Sequence, residues 1–317
     1  AERPFEVVGE ELGVDADEAL ERVERLRDEG VFRRFGPVLN PPVIGSSTLA
    51  AVSASPDRFD EVAAVINDHP QVNHNYARDH EWNMWFVVTA ASRERRDEII
   101  ADIETQTGCE VLVLPMLTDF YIDLEFPVVN TDRFARESLA ETDVEATRIS
   151  ERAAADLSEL DRRLLLEIQD GFPLSATPYR DVAEAVGADV EDVLAAIERL
   201  RADGCIKRIG CVVNHLVTGF DANCMVVWDV PDDRLDEVGI AVGRLPYVTL
   251  CYHRPRRPGQ EWEYNLFTMI HGREQAAVDE KIDELATDHI PYDHERLYST
   301  ETLKQTGARY EDLVGED

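Results

Sequence analysis

The chain has 317 residues and 44% hydrophobic content, enough for two domains of ordinary size with a core in each, and too apolar for a disordered chain. Its 65 acidic and 32 basic residues give a formal charge of −33, and a surface of that sign repels phosphate backbones and anionic membranes. The acids are scattered rather than gathered in tails, the pattern of a general adaptation to high salt.

No apolar run approaches the roughly 20 residues of a membrane span, and the opening AERPFEVVGE is too charged for a secretory leader. A cytoplasmic location is expected. The five cysteines, Cys109, Cys205, Cys211, Cys224 and Cys251, form no CxxC pair and read as reduced, mostly buried thiols.

A long internal repeat organises the chain. Pro4 to Asn40 aligns without gaps on Pro178 to Asn214, an offset of 174, with fifteen of 37 positions identical. Farther on, DRFDEV (57–62) matches DRLDEV (233–238) at an offset of 176. The chain is therefore read as a fused pseudo-dimer, α+β in class. Its expected segments are a truncated winged helix-turn-helix (1–40), a ferredoxin-like domain (41–126), a polar linker with some helix (127–157), a second winged helix-turn-helix (158–212), a second ferredoxin-like domain (213–310) and a tail (311–317).

In chain order the fuller second copy predicts a helix over 161–169, a short helix over 179–186 closed by Gly187, and a helix over 190–202 capped by Asp189 and ended by Gly204. The stretch CIKRIGCVVN reads as the strand of a wing. A strand over 222–230, a helix over 233–245, strands over 248–253 and 264–271, a helix over 273–287 and a strand over 295–299 then give βαββαβ. The first copy has only AER ahead of Pro4 where the second has the helix LSELDRRLLLEIQDGFPL, so about twenty residues are expected to be missing there.

The start of a DNA-reading helix should offer Arg, Lys, Asn, Gln, Ser or Thr. Here the two copies offer Asp15, Asp17 and Glu18, and Asp189, Glu191 and Asp192. No nucleic-acid partner is expected, and the module reads as structural.

The unusual residues lie in one hairpin of each copy, NHNYARDHEWNMWFVV (73–88) and LCYHRPRRPGQEWEYNLFTMIHG (250–272). Tyr76 aligns with Tyr252, Arg78 with Arg254, and Asn83 with Asn265 after a longer loop. Arg78, Arg254, Arg256 and Arg257 suit bidentate carboxylate binding. Trp82, Trp85, Trp262, Tyr264 and Phe267 offer flat faces, with strand core as the competing reading. His80 and His253 suit proton transfer or iron ligation. The basic pairs Arg33-Arg34 and Lys207-Arg208 stand out in the wings, and Arg34 and Arg208 are candidate contacts to an anionic ligand. Together these residues suit a large, flat, polycarboxylated ligand carrying a metal. No Gly-rich phosphate loop or nucleophile elbow is present.

The layout resembles the Lrp/AsnC regulators, and the hairpins HNYARDHEWNMWF and CYHRPRR…EWEYNLFTMIHG resemble those of the siroheme decarboxylases, over nearly the whole chain except the linker. That resemblance implies loss of carbon dioxide from two acetate side chains of siroheme to give didecarboxysiroheme, by two related subunits that are here fused. An acidic, fused version points to a haloarchaeal source. No organic cofactor is implied, because the iron tetrapyrrole is itself the substrate; haem as a bound ligand and a further pairing of two chains stay open. The implied roles are His80 and His253 as proton donors or axial ligand, Arg78 and Arg254 as carboxylate clamps, Tyr76 and Tyr252 as hydrogen-bond partners, and Trp85 and Asn83 as walls. A transcription regulator and a non-catalytic haem sensor are the rival readings.

Overall fold

The computed structural model describes residues 2–122, 146–149, 156–213 and 222–313. The first copy runs α1 (Pro4–Leu12), α2 (Ala16–Asp28), β1 (Phe32–Leu39), α3 (Pro41–Ile44), β2 (Ser46–Val52), α4 (Phe59–Asp68), β3 (Val72–Arg78), β4 (Met84–Ala90), α5 (Arg93–Thr107), β5 (Val111–Leu114) and β6 (Thr118–Ile122). A short strand, β7 (Thr147–Arg148), precedes the second copy. That copy runs α6 (Glu159–Ile168), α7 (Pro178–Val186), α8 (Val190–Ala202), β8 (Ile206–Val213), β9 (Ala222–Trp228), α9 (Leu235–Gly243), β10 (Val248–His253), β11 (Leu266–Gly272), α10 (Gln275–Glu284) and β12 (His294–Gln305). The expected linker lies outside the described residues apart from 146–149, where β7 pairs with β6, and 156–157.

The helices begin and end where local chemistry dictates. Pro4 and Pro178 open α1 and α7 in the first turn, and Gly13 (φ 70°) and Gly187 (φ 64°) close them in the left-handed conformation. Asp15 caps α2 by accepting from the Glu18 N–H at 2.8 Å. Asp189 was expected to do the same for α8, but its side chain makes no capping bond.

Each copy finishes the other's sheet. In the first copy, β5 pairs with its own β2, and β6 then adds to the β10 edge of the second copy. In the second, β12 pairs with β9 over His294–Tyr298 and with β3 over Ser299–Gln305. The final strand, expected over 295–299, is longer because its second half is held by hydrogen bonds to the other copy. The sheet order is β5-β2-β4-β3-β12-β9-β11-β10-β6-β7.

Two-residue alternation divides the strand side chains between two faces. Ala50, Val52, Met84, Phe86 and Val88 pack under α4 and α5, and Cys224, Val226, Trp228, Leu266 and Ile270 pack under α9 and α10. The opposite faces meet, with Trp85, Leu112 and Leu114 of the first copy against Val227, Trp262, Phe267 and Leu297 of the second. Burying side chains of this size contributes roughly 1.5–3 kcal/mol each, so the fusion shares one inter-copy core.

The wings also pair between copies. β1 and β8 form one antiparallel ribbon, from Phe32↔Val213 to Leu39↔Ile206. The wing expected within each copy is thus half of a joint element. The ribbon packs closely on the turn after α6: Phe172 N–H donates to the Phe35 carbonyl at 2.7 Å, and a Cβ on Gly36 would lie 2.5 Å from the Gly171 Cα. In the second copy α6 helps bury Val182, Val186 and Leu200, whereas the equivalents Val8, Leu12 and Leu26 are 37%, 60% and 39% exposed.

Candidate active site

β3 carries His74, Tyr76 and Arg78 on one face, while the intervening Asn75 turns toward α4 and donates to the Asn67 side chain at 3.0 Å. β10 carries Leu250 and Tyr252 in the same positions, with Arg254 directly after its last residue. The two strips share a frame. The Arg78 guanidinium lies 5.9 Å from the Tyr76 ring and donates from Nη1 to the Leu297 carbonyl of β12. The Arg254 guanidinium lies 5.3 Å from the Tyr252 ring and donates from Nη1 to the Leu114 carbonyl of β5 at 2.5 Å. Leu114 sits opposite Leu49, and Leu297 opposite the equivalent Met225, so the two bonds are one contact made twice.

Both arginines are buried, and in both the Nε atom has no partner. Burial pushes each guanidinium down to about 10, so both remain charged at neutral pH. Each accepting partner is a carbonyl rather than a carboxylate. Such charges are held ready for an anion.

The surroundings of the strips differ. Beside β3, Gln305 stands opposite His74 and the exposed Thr302 opposite Tyr76. Arg33 reaches down from the ribbon to the Gln305 Oε1 at 2.7 Å. The His74 ring stacks on Tyr76 at 6.1 Å, and its Nδ1 is buried without a partner. Burial, with the Arg33 charge adding to it, pushes His74 down to about 4, so it rests neutral. Burial likewise raises the Tyr76 phenol. Beside β10, Asp119 stands opposite Tyr252 with a buried, unpartnered Oδ1, and Lys207, the counterpart of Arg33, is its opposing charge. Burial raises the Asp119 carboxyl and the Tyr252 phenol.

The remaining candidates are used differently. His80 is fixed at both ring nitrogens: Nδ1 accepts from the Trp82 N–H at 2.9 Å, which leaves Nε2 to donate to Glu295 at 2.5 Å. Its ring meets Trp262 edge-on at 6.0 Å. His253 follows Tyr252 by one residue and so faces the other way; burial, then Arg148, lowers it, and Asp232, Asp236 and Arg256 are its other charged neighbours. It does not join the Tyr252–Arg254 strip.

Asn83 was expected as a wall residue, yet its amide is spent on Ala54, accepting from N–H at 2.9 Å and donating to C=O at 2.8 Å. Asn265 does the same to Val230 at 3.0 and 2.9 Å. Both are backbone clamps. Trp85 is 1% exposed, donates to the Trp82 carbonyl at 2.6 Å and meets the Trp262 ring at a tilt of 59° with centroids 5.3 Å apart, so it belongs to the inter-copy core.

Arg256 is saturated by Asp229, Asp232 and the Val230 carbonyl. Arg257 donates to the Val113 carbonyl at 3.1 Å and the Arg256 carbonyl at 3.2 Å. Arg34 donates to the Pro37 carbonyl at 2.7 Å. Arg208 lies exposed on β8. Of the basic wing residues it is instead Arg33 that reaches the β3 strip. Among the described residues no group of three His, Cys, Asp or Glu is placed to hold a metal ion. Surface hollows of about 470 Å³ on α2 and about 500 Å³ beside α6 and α7 lie away from the strips, and each is lined partly by acids.

Two winged-helix units, each followed by a ferredoxin-like unit with a Tyr–Arg strip, define a tandem Lrp/AsnC-type chain. Residues 44–121 and 217–304 match the AsnC-like ligand binding domain, and residues 1–33 and 161–206 match the siroheme decarboxylase NirDL-like HTH domain. The chain is 35% identical over 311 residues to the siroheme decarboxylase NirDL subunit of Paracoccus denitrificans (strain Pd 1222), covering 96% of this chain and 91% of that one. It is 28% identical over 310 residues to the siroheme decarboxylase of Hydrogenobacter thermophilus, covering 97% and 89%. A crystal structure of the siroheme decarboxylase NirDL superimposes with a TM-score of 0.73 at 25% identity, over 98% of this chain and 89% of that one, and a second such structure is a co-complex with an iron-uroporphyrin III analogue. The chain belongs to the siroheme decarboxylase NirDL family.

Proposed function

We propose that the chain is a carboxy-lyase that removes two acetate carboxyl groups from siroheme, and that the β3 strip is where the reaction occurs. The observation that carries this reading is a buried Arg78 without a carboxylate partner beside a half-buried His74 whose buried Nδ1 has no partner. Arg78 and Arg33 attract the carboxylates, and Tyr76 orients one of them. The single carbonyl bond made by Arg78 leaves it able to hold a carboxylate without a tight bidentate pairing, which would stabilise the ground state and slow its loss.

The chemistry balances with the substrate and one proton per carboxylate. The bond between the carboxylate and its CH2 carbon breaks, carbon dioxide leaves, and the electron pair passes from the CH2 carbon into the macrocycle. His74 then gives a proton to that carbon, making a methyl group, and the neutral imidazole reloads from solvent. A neutral resting His74 suits this cycle, because a polyanionic ligand raises its pKa and brings the proton in with the substrate. The reaction needs no oxidant and no added organic cofactor.

In this reading the transferring role expected of His80 and His253 passes to His74. His80 is a positioning residue tied to Glu295, and His253 lies on the far face. The acids at the starts of α2 and α8 count against a nucleic-acid role for the helix-turn-helix units. Turnover in deuterium oxide tests the mechanism: each new methyl group should carry one deuterium, and methyl groups without deuterium would refute proton delivery from an exchangeable side chain.

A further inference from the structure

The fold builds the same seat twice, with Tyr over Arg, a carbonyl of the other copy's last strand and a basic residue from the ribbon. Two positions break the equivalence. Where the first copy has His74, the second has Leu250, and where the first has Thr302, the second has Asp119. We propose that only the β3 strip is productive, and that Leu250 and Asp119 keep the β10 strip from accepting and turning over the polycarboxylate. This rests on the reading of the chain as a siroheme decarboxylase.

Leu250 has no proton to give, so a carboxylate lost there would leave its carbon without a donor at that position. Asp119 acts earlier, on binding. Among the described residues Arg33 and Arg78 meet no carboxylate on the β3 strip, whereas Asp119, opposite Tyr252 and two residues from Arg254, has Lys207 as its opposing charge. Its Oδ1 is buried, opposite Tyr252, and unpartnered. A ligand carboxylate seated on Arg254 must therefore lie beside a like charge or force Asp119 to take up a proton. Either requirement weakens the second seat. The sequence differences thus mark a division of labour between matched sites.

The test uses the full chain and an iron uroporphyrin as a probe for binding, with siroheme for turnover. The parent chain should bind one tight equivalent, weakened about 10- to 100-fold in Arg78→Met, and Asp119→Thr should bind a second. His74→Leu places in the first copy the residue that the second copy already holds there, so it should fold, keep the tight equivalent and lose at least about 100-fold in turnover, the scale of general-acid catalysis. Two equal equivalents in the parent, a single equivalent in Asp119→Thr, or parent-like turnover by His74→Leu would each overturn the proposal. A parent chain that neither binds the probe nor alters siroheme would instead bring down the decarboxylase reading itself, and this inference with it.

Discussion

Replacing Arg78 with Met separates a group held for a ligand from one that holds the fold together. The fall of its pKa from 12.5 to about 10 corresponds to about 3 kcal/mol spent keeping the charge buried. The substitution relieves that cost but forfeits a charge-assisted bond to the Leu297 carbonyl, worth about 1.5–3 kcal/mol. The two nearly cancel, and Met refills much of the volume. Ligand-free stability should therefore change by no more than ~1 kcal/mol, with Tm moving by less than about 4 °C. Iron uroporphyrin binding should weaken roughly 10- to 100-fold, the value of one charge-assisted contact. Calorimetry and an absorption titration give the two numbers. Had Arg78 been half of a buried ion pair, its removal would cost about 3–5 kcal/mol. A stability loss of that size with binding unchanged would refute the reasoning.

Three further outcomes follow from the geometry. His74 takes its proton at about 4 when folded against an ordinary 6.5, so the unfolded chain is protonated first as the pH falls; stability should drop by about 2–3 kcal/mol between pH 6.5 and 4, and thermal melts of His74→Leu should lack that component. Asn265→Ala leaves the Val230 N–H unpaired in a buried site, while the Val230 C=O keeps Arg256, and should cost about 1–3 kcal/mol, read by denaturant unfolding; a loss below about 0.5 kcal/mol would deny the clamp. Gly171→Ala combines a φ of 108° with a Cβ 2.6 Å from the Phe35 carbonyl oxygen, and should lower Tm by several degrees through loosening of the β1–β8 ribbon.

Much of this architecture can be read in the amino-acid order. The repeat exposes the pseudo-dimer, and helix stops such as Gly13 and Gly187 follow from local backbone chemistry. Tyr76 and Arg78 on one strand, with Tyr252 and Arg254 on the other, stand out because each copy validates its counterpart. His74 is legible too, since its spacing of two and four residues from Tyr76 and Arg78 puts all three on one strand face; the sequence reading goes instead to His80 and His253 because they lie in loops beside arginines. What lies between the copies was not legible. Glu295 meets His80 across 215 positions of sequence, and Thr302 and Asp119 reach the strips only because each copy's last strand crosses into the other's sheet. The shared Asn83 and Asn265 were misread for a related reason, as equivalence between copies marks common construction as readily as common function. Arg256 drew attention as part of a basic run, but its acids Asp229 and Asp232 come from a distant turn.

The central claim is tested most directly by incubating the purified chain with siroheme without oxygen and measuring the mass of the tetrapyrrole afterward. The account predicts a product lighter by two carboxyl groups, each replaced by hydrogen. Siroheme recovered at unchanged mass from a chain that binds it would contradict the account.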